Sequence, residues 1–228
     1  GRAKCLACQG NLRDIALGYL CYLDDYGGRF YDGPAVPNPN STFGGWAGTV
    51  SKVALRPVNH YLGLSPSRAG ERDARVFRCP ADTNALDTRD GSFYRDRGNS
   101  YQASLIVVAP DRLMTTLEPP WRTINEEILA QGRPERAGVF QPQRLAWIGD
   151  FFWTVQLDPV SRRCTGWHGR RHYHNIAFLD GHVGLTEIIR GMYDVDGSYR
   201  MQPHKAADPR IRELQQRVPC KCEKRFQP

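Results

Sequence analysis

The sequence predicts an α+β fold: a long N-terminal helix packed on an antiparallel sheet that carries long loops. Three observations predict it. Apolar residues recur at helical spacing through the first 25 positions. Two compact apolar runs, "SLIVVA" at 104–109 and "LAWIGDFF" at 145–152, read as buried strands. Two further apolar runs flank Asp180-Gly181, a dipeptide suited to a tight hairpin.

The helix is expected over residues 2 to about 26. Cys5, Cys8, Leu12, Ile15, Tyr19 and Leu23 follow one another at spacings of three and four, and Ala16 and Leu20 widen the stripe. "YGG" at 26–28 ends it, because glycine accepts the left-handed conformation that closes a helix. No capping signal precedes it, as though it continued an upstream helix. After a loop rich in Gly, Pro and Asn at 31–48, a short helix is expected at about 49–62, limited by Pro57. "ARVFRCPAD" reads as a strand with a turn at Pro80, and "NSYQASLIVVAP" as a central strand. A helix is expected at 121–132, the "LAWIGDFF" strand follows, and the hairpin 175–189 closes through a type I′ turn. A basic tail from 203 carries a short helix at 209–217. No internal boundary divides the head, so the chain is read as 1–28 helix, 29–202 globular head and 203–228 cysteine-containing tail.

Composition excludes several classes. With 40% hydrophobic and 24% charged residues the chain can bury a core, which rules out global disorder. No apolar run approaches the roughly 18 residues that span a bilayer. The formal charge is +7, yet the arginines are spread along the chain and form no block interleaved with exposed aromatics, so no nucleic-acid partner is expected. Catalysis is not expected either. Asp150, Asp180 and the histidines can be paired on paper, but no motif fixes a nucleophile, a base and an orienting group together.

Metal ligands are the chemistry the residues do suggest. Four of the six histidines, His168, His172, His174 and His182, lie close to Asp180. If 172–174 is extended, His172 and His174 share a face, and His168, His174 and Asp180 could bind zinc or copper through imidazole. Stacked or solvated rings are the simpler reading. Asp194 and Asp196 before Gly197 resemble the start of a calcium loop but lack its later bidentate acid, so a plain turn competes. Seven cysteines leave at least one without an intramolecular disulfide partner. Cys5 and Cys8 with Cys220 and Cys222 could form disulfides or supply four thiolates to zinc if the chain ends meet; burial as small apolar groups is the third reading. No cofactor is required on these grounds, with calcium or zinc as the candidates.

Three stretches together carry a family likeness. "RAKCLACQGNLRDIALGYLCYLDDYGGRFY", "FRCPAD" followed by "NSYQAS", and "NIAFLDGHV" resemble, in that order, the type IV pilin-like pseudopilins of type II secretion. The likeness is to the subfamily with a prepilin-type N-terminal segment and a C-terminal His-and-DG element. It samples most of residues 2–183, with an irregular "WHGRRHYH" before the last element and nothing recognisable after about 190. The resemblance implies a non-enzymatic subunit of a secretion or pilus-like filament. It further implies an upstream apolar half-helix as membrane anchor, other pilin-like subunits as partners, and a place at the bacterial inner membrane, periplasm or cell surface. It makes Leu12, Ile15, Tyr19 and Leu23 the candidate assembly face, although burial within the monomer is the simpler reading of each. The second functional reading is a displayed head that binds a polysaccharide or secreted cargo through aromatics in the loops at 31–48 and 84–101.

Overall fold

The computed structural model describes residues 1–28, 43–50, 55–83, 88–104, 141–154, 167–189, 194–195 and 198–200. Helix α1, Arg2–Asp25, runs 24 residues and buries Cys8, Leu12, Ile15, Ala16, Tyr19, Tyr22 and Leu23. No side chain caps its N-terminus. At the other end Gly27 and Gly28 take φ of +62° and +78°, and the Gly28 N–H donates to the Leu23 carbonyl at 2.6 Å. The expected glycine stop is therefore present.

The sheet is an antiparallel meander in the order β1 (Tyr101–Ala103), β2 (Ala146–Asp150), β3 (Tyr173–Phe178) and β4 (Val183–Glu187). Helix α1 lies across it, with Tyr19 packed edge-on against Trp147 at 4.4 Å between ring centroids. A two-stranded ribbon, β5 (Asp194–Val195) and β6 (Tyr199–Arg200), lies outside this ladder, and its Tyr199 packs with Ala146, Ile176 and Phe178. No helix among the described residues is long and apolar enough to cross a membrane.

A bulge in β2 decides which side chains meet the helix. Ala146 pairs with Phe178 and Ile148 with Ala177, so Trp147 is the extra residue. Trp147 and Ile148 consequently both pack into the core beneath α1, while Ala146 joins Ile176, Phe178 and Trp153 on the other side. Two residues beyond Ile148, Asp150 falls on the helix side by simple alternation.

Several expectations are corrected. β1 sits at the edge of the described sheet, not its centre. The "ARVFRCPAD" stretch forms a 3-10 turn at Arg75–Phe77 instead of a strand. Its polar backbone needs no ladder, since the Phe77 carbonyl accepts from the Ser100 N–H and the Arg78 carbonyl from Asn11 Nδ2, both at 2.8 Å. Within 49–62 the described helix is a 3-10 segment at Pro57–Leu62, with Pro57 at its start. The hairpin turn is not type I′, because Asp180 lacks a positive φ. The Gly181 N–H donates to the Phe178 carbonyl, Gly181 takes φ +91°, and the Phe178 N–H donates to the His182 carbonyl, the pattern of a three-residue loop with a glycine bulge. The helices expected at 121–132 and 209–217 lie outside the described residues, as does 105–109 of the "SLIVVA" run.

"CPAD" and "NSYQ" owe their pairing to Asp82. Its buried carboxylate accepts from the Phe93 and Tyr94 N–H groups at 3.0 and 2.8 Å, capping the short helix α2 (Phe93–Arg97). It also accepts from the Ser92 and Ser100 hydroxyls at 3.1 and 2.6 Å.

Candidate metal centre

Four buried side chains from four separate parts of the chain converge where α1 crosses the end of β2. They are Cys8, Cys79, Asp150 and His168, and one ligand atom from each lies within 4.8 Å of all the others. Among the described residues they form the one group of three or more His, Cys, Asp or Glu side chains gathered in this way.

Local structure explains each placement. Cys8 lies on the buried face of α1, whose first turns are seated on β3 by Gln9 Nε2 and Cys5 Sγ donating to Asn175 Oδ1, at 3.0 and 3.4 Å. Cys79 follows the Arg75–Phe77 turn, held against α1 by the Asn11 contact to Arg78. Asp150 ends β2, directed toward the helix by the Trp147 bulge. His168 occupies the turn before β3, between Trp167, which packs on the core, and Gly169 at φ +72°.

The contacts are short and dry. Cys8 Sγ donates to Asp150 Oδ1 at 3.0 Å. His168 Nε2 lies 3.6 Å from Cys79 Sγ and 3.5 Å from Asp150 Oδ2. The Asn175 N–H donates to Asp150 Oδ2 at 2.8 Å, and the Ala81 N–H to Cys79 Sγ at 3.4 Å. Cys8, Cys79 and Asp150 are fully inaccessible and the His168 side chain is 3% exposed, so solvent does not reach the cluster.

Burial is the main influence on the Cys8 thiol and pushes it up, helped by Cys79 and the Asp150 charge. Cys79 is pulled down to about 7, first by the neighbouring Cys8 and then, against burial, by His168. Burial alone would lower His168, but the close approach and charges of Asp150 and Cys79 outweigh it and raise the imidazole to about 10.

This arrangement does not match a proton relay. A Cys-His-Asp relay uses both ring nitrogens, one toward the nucleophile and the other toward the carboxylate. Here Cys79 and Asp150 face the same nitrogen, Nε2, while Nδ1 meets no hydrogen-bond partner among the described residues.

The residues singled out by sequence are distributed otherwise than expected. Of His168, His172, His174, Asp180 and His182, only His168 joins the cluster. His172 adopts φ +64° in the turn before β3, which breaks the extended run that would align it with His174. His174 alternates with Asn175, so it lies on the face of β3 away from α1, and burial lowers its imidazole to about 4. His182 and Asp180 pair with each other at the hairpin tip, Nδ1 to Oδ1 2.6 Å, where the His182 ring stacks on Phe178 at 4.3 Å. Cys8 and Cys5 part company: Cys8 enters the cluster and Cys5 contacts Asn175. Cys220, Cys222 and Asp196 lie outside the described residues, and Asp194 begins β5. Leu12, Ile15, Tyr19 and Leu23 are all buried within the monomer, so the expected assembly face is core.

The sequence reading missed Cys79 and Asp150 as partners in this candidate centre. One signal was present for Asp150: a carboxylate inside an otherwise apolar strand must find a buried partner.

No protein-family model, curated protein or solved structure matches this chain.

Proposed function

We propose that the chain is the folded head of a pilin-like subunit, a non-enzymatic building block of a secretion or pilus-like filament at a bacterial inner membrane, periplasm or cell surface. One observation supports this reading beyond the sequence resemblance. Helix α1 seats one face on the sheet yet carries Leu6 and Leu17 on its outer side, 59% and 51% exposed. The two are eleven residues apart, about three helical turns, and therefore line up on one stripe. Two exposed leucines, with Gly10 and Arg13 between them, on a helix already packed by its other face suit burial against a neighbouring subunit. The assembly surface is thus reassigned from the Leu12–Leu23 side to Leu6 and Leu17.

The binding-head alternative gains no such support among the described residues. It needs aromatic groups open to a ligand. Phe93, Tyr94, Trp147 and Trp153 are buried, and the Trp46 indole N–H is engaged by the Tyr94 carbonyl at 2.8 Å.

The test uses the full-length gene product with cysteines introduced singly at Leu6 and Leu17 in a Cys21→Ser background. Cross-links between subunits in the membrane or filament fraction, together with an upstream prepilin-type cleavage site followed by about 20 apolar residues, are expected. A monomer released after cleavage of an ordinary secretion signal would overturn the proposal.

A further inference from the structure

We propose that Cys8, Cys79, Asp150 and His168 bind one zinc ion that fastens helix α1 to the sheet and to the turn after Arg75–Phe77. The inference does not depend on the filament reading. It rests on the donor set, the spacing of the donor atoms and the closure of the site.

Two thiolates, an imidazole and a carboxylate form a donor set suited to zinc, whose structural sites are four-coordinate and tetrahedral. Hard cations such as calcium prefer six or more oxygen ligands, and only Asp150 supplies oxygen here. At usual zinc–ligand bond lengths, the edges of such a tetrahedron measure about 3.3 to 3.8 Å. The Cys79–His168 and His168–Asp150 separations of 3.6 and 3.5 Å fall on that scale. The His168–Asp150 value is too long for an ordinary N–H···O hydrogen bond. Cys8 approaches the other carboxylate oxygen, Oδ1, at 3.0 Å, and one ligand atom from each of the four residues lies within 4.8 Å of the others.

The convergence on one imidazole nitrogen points the same way. Nε2 carries at most one proton, which cannot satisfy Cys79 and Asp150 together. A cation among the four donor atoms satisfies all of them through one lone pair from each. The surroundings resemble the outer shell of a metal site: the Asn175 N–H fixes Asp150 Oδ2, and the Ala81 N–H donates to Cys79 Sγ. Full burial leaves no position for substrate or water, so the ion is structural. It joins segments up to 160 positions apart in sequence, from Cys8 to His168.

The experiment is metal analysis of the full chain purified under reducing conditions without chelator, followed by refolding of the metal-free protein with cobalt(II). One zinc per chain is expected. The cobalt form is expected to show the strong visible absorption of a tetrahedral site with thiolate-to-cobalt charge transfer. Cys79→Ser and His168→Gln should each lose that signature and release zinc, whereas Cys5→Ser and Cys21→Ser should keep it. The wild-type cobalt spectrum decides the matter if the site variants do not fold. Folded, reduced protein that takes up neither metal overturns the proposal. So does a Cys8–Cys79 disulfide, detected as a mass lower by two hydrogens, if the reduced protein then gives only the pale spectrum of octahedral cobalt.

Discussion

Cys8 Sγ and Asp150 Oδ1 stand 3.0 Å apart although 142 positions separate them in the chain. Their meeting joins helix α1 to the end of β2 at a point that water does not reach. Around it the fold has gathered side chains that are costly to bury singly and compatible only in combination.

Asp150→Ala should destabilise the fold sharply. The substitution removes the acceptor for the Asn175 N–H and the Cys8 thiol and leaves His168 buried without its carboxylate. A loss of roughly 3 to 5 kcal/mol is expected for breaking such a buried charged cluster. Urea denaturation read by circular dichroism measures it.

Asp82→Ala is predicted to cost a similar amount for a different reason. Two backbone N–H groups at the start of α2 and the hydroxyls of Ser92 and Ser100 lose their acceptor. Unsatisfied buried donors cost about 1 to 3 kcal/mol each before relaxation, so a total of roughly 3 to 5 kcal/mol is expected. Metal binding by the folded fraction should survive, which separates this variant from Asp150→Ala in the cobalt spectrum.

Gly149→Ala tests the approach of β2 to β3. A Cβ there would come within 2.5 Å of Ile176 Cδ1 and 2.7 Å of the Asn175 carbonyl. The rigid backbone carbonyl cannot give way as a side chain would, so the strands must part. A destabilisation of about 1 to 3 kcal/mol is expected from overpacking, accompanied by weaker cobalt binding because Asp150 is the next residue.

Alkylation should distinguish the cysteines. Cys21 is exposed, whereas Cys8 and Cys79 are inaccessible. In native protein, iodoacetamide followed by peptide mass mapping should mark Cys21 and spare Cys8 and Cys79. Labelling of the buried pair should appear only when denaturant opens the fold.

Acid stability should report on His174. Burial lowers this imidazole to about 4 from an ordinary value of 6.5, so the unfolded chain takes up its proton first. The resulting stability is complete above pH 6.5 and is lost progressively as pH falls toward 4, by on the order of 3 kcal/mol. Metal-free His174→Asn should show a shallower fall over this window than the metal-free wild type in denaturation midpoints.

Local signals account for the parts of the molecule that were legible beforehand. Cys8 to Leu23 recur at helical spacing because one face of α1 must be dry, and Gly27 and Gly28 stop the helix because they accept positive φ. Asp180-Gly181 marked a hairpin correctly, but hydrogen bonding across the turn selected its three-residue form. The same local logic misread 74–82 as containing a strand, since Val76-Phe77 cannot reveal that Ser100 and Asn11 will satisfy the Phe77 and Arg78 carbonyls.

The sequence by itself determined the α+β class, the long amphipathic helix, the β2 run and the hairpin, all set by neighbours a few residues apart. Tertiary structure alone decided the cluster proposed to hold zinc. Histidine crowding at 168–182 pointed to the hairpin, yet strand alternation sends His174 to the far face and the turn isolates His182 with Asp180. The extra residue Trp147 shifts the alternation so that Asp150 faces α1, and only there does it meet Cys8, Cys79 and His168. A bulge changes which side of a sheet a residue occupies without changing any residue near the partners it will meet, so no spacing in the chain could announce the site.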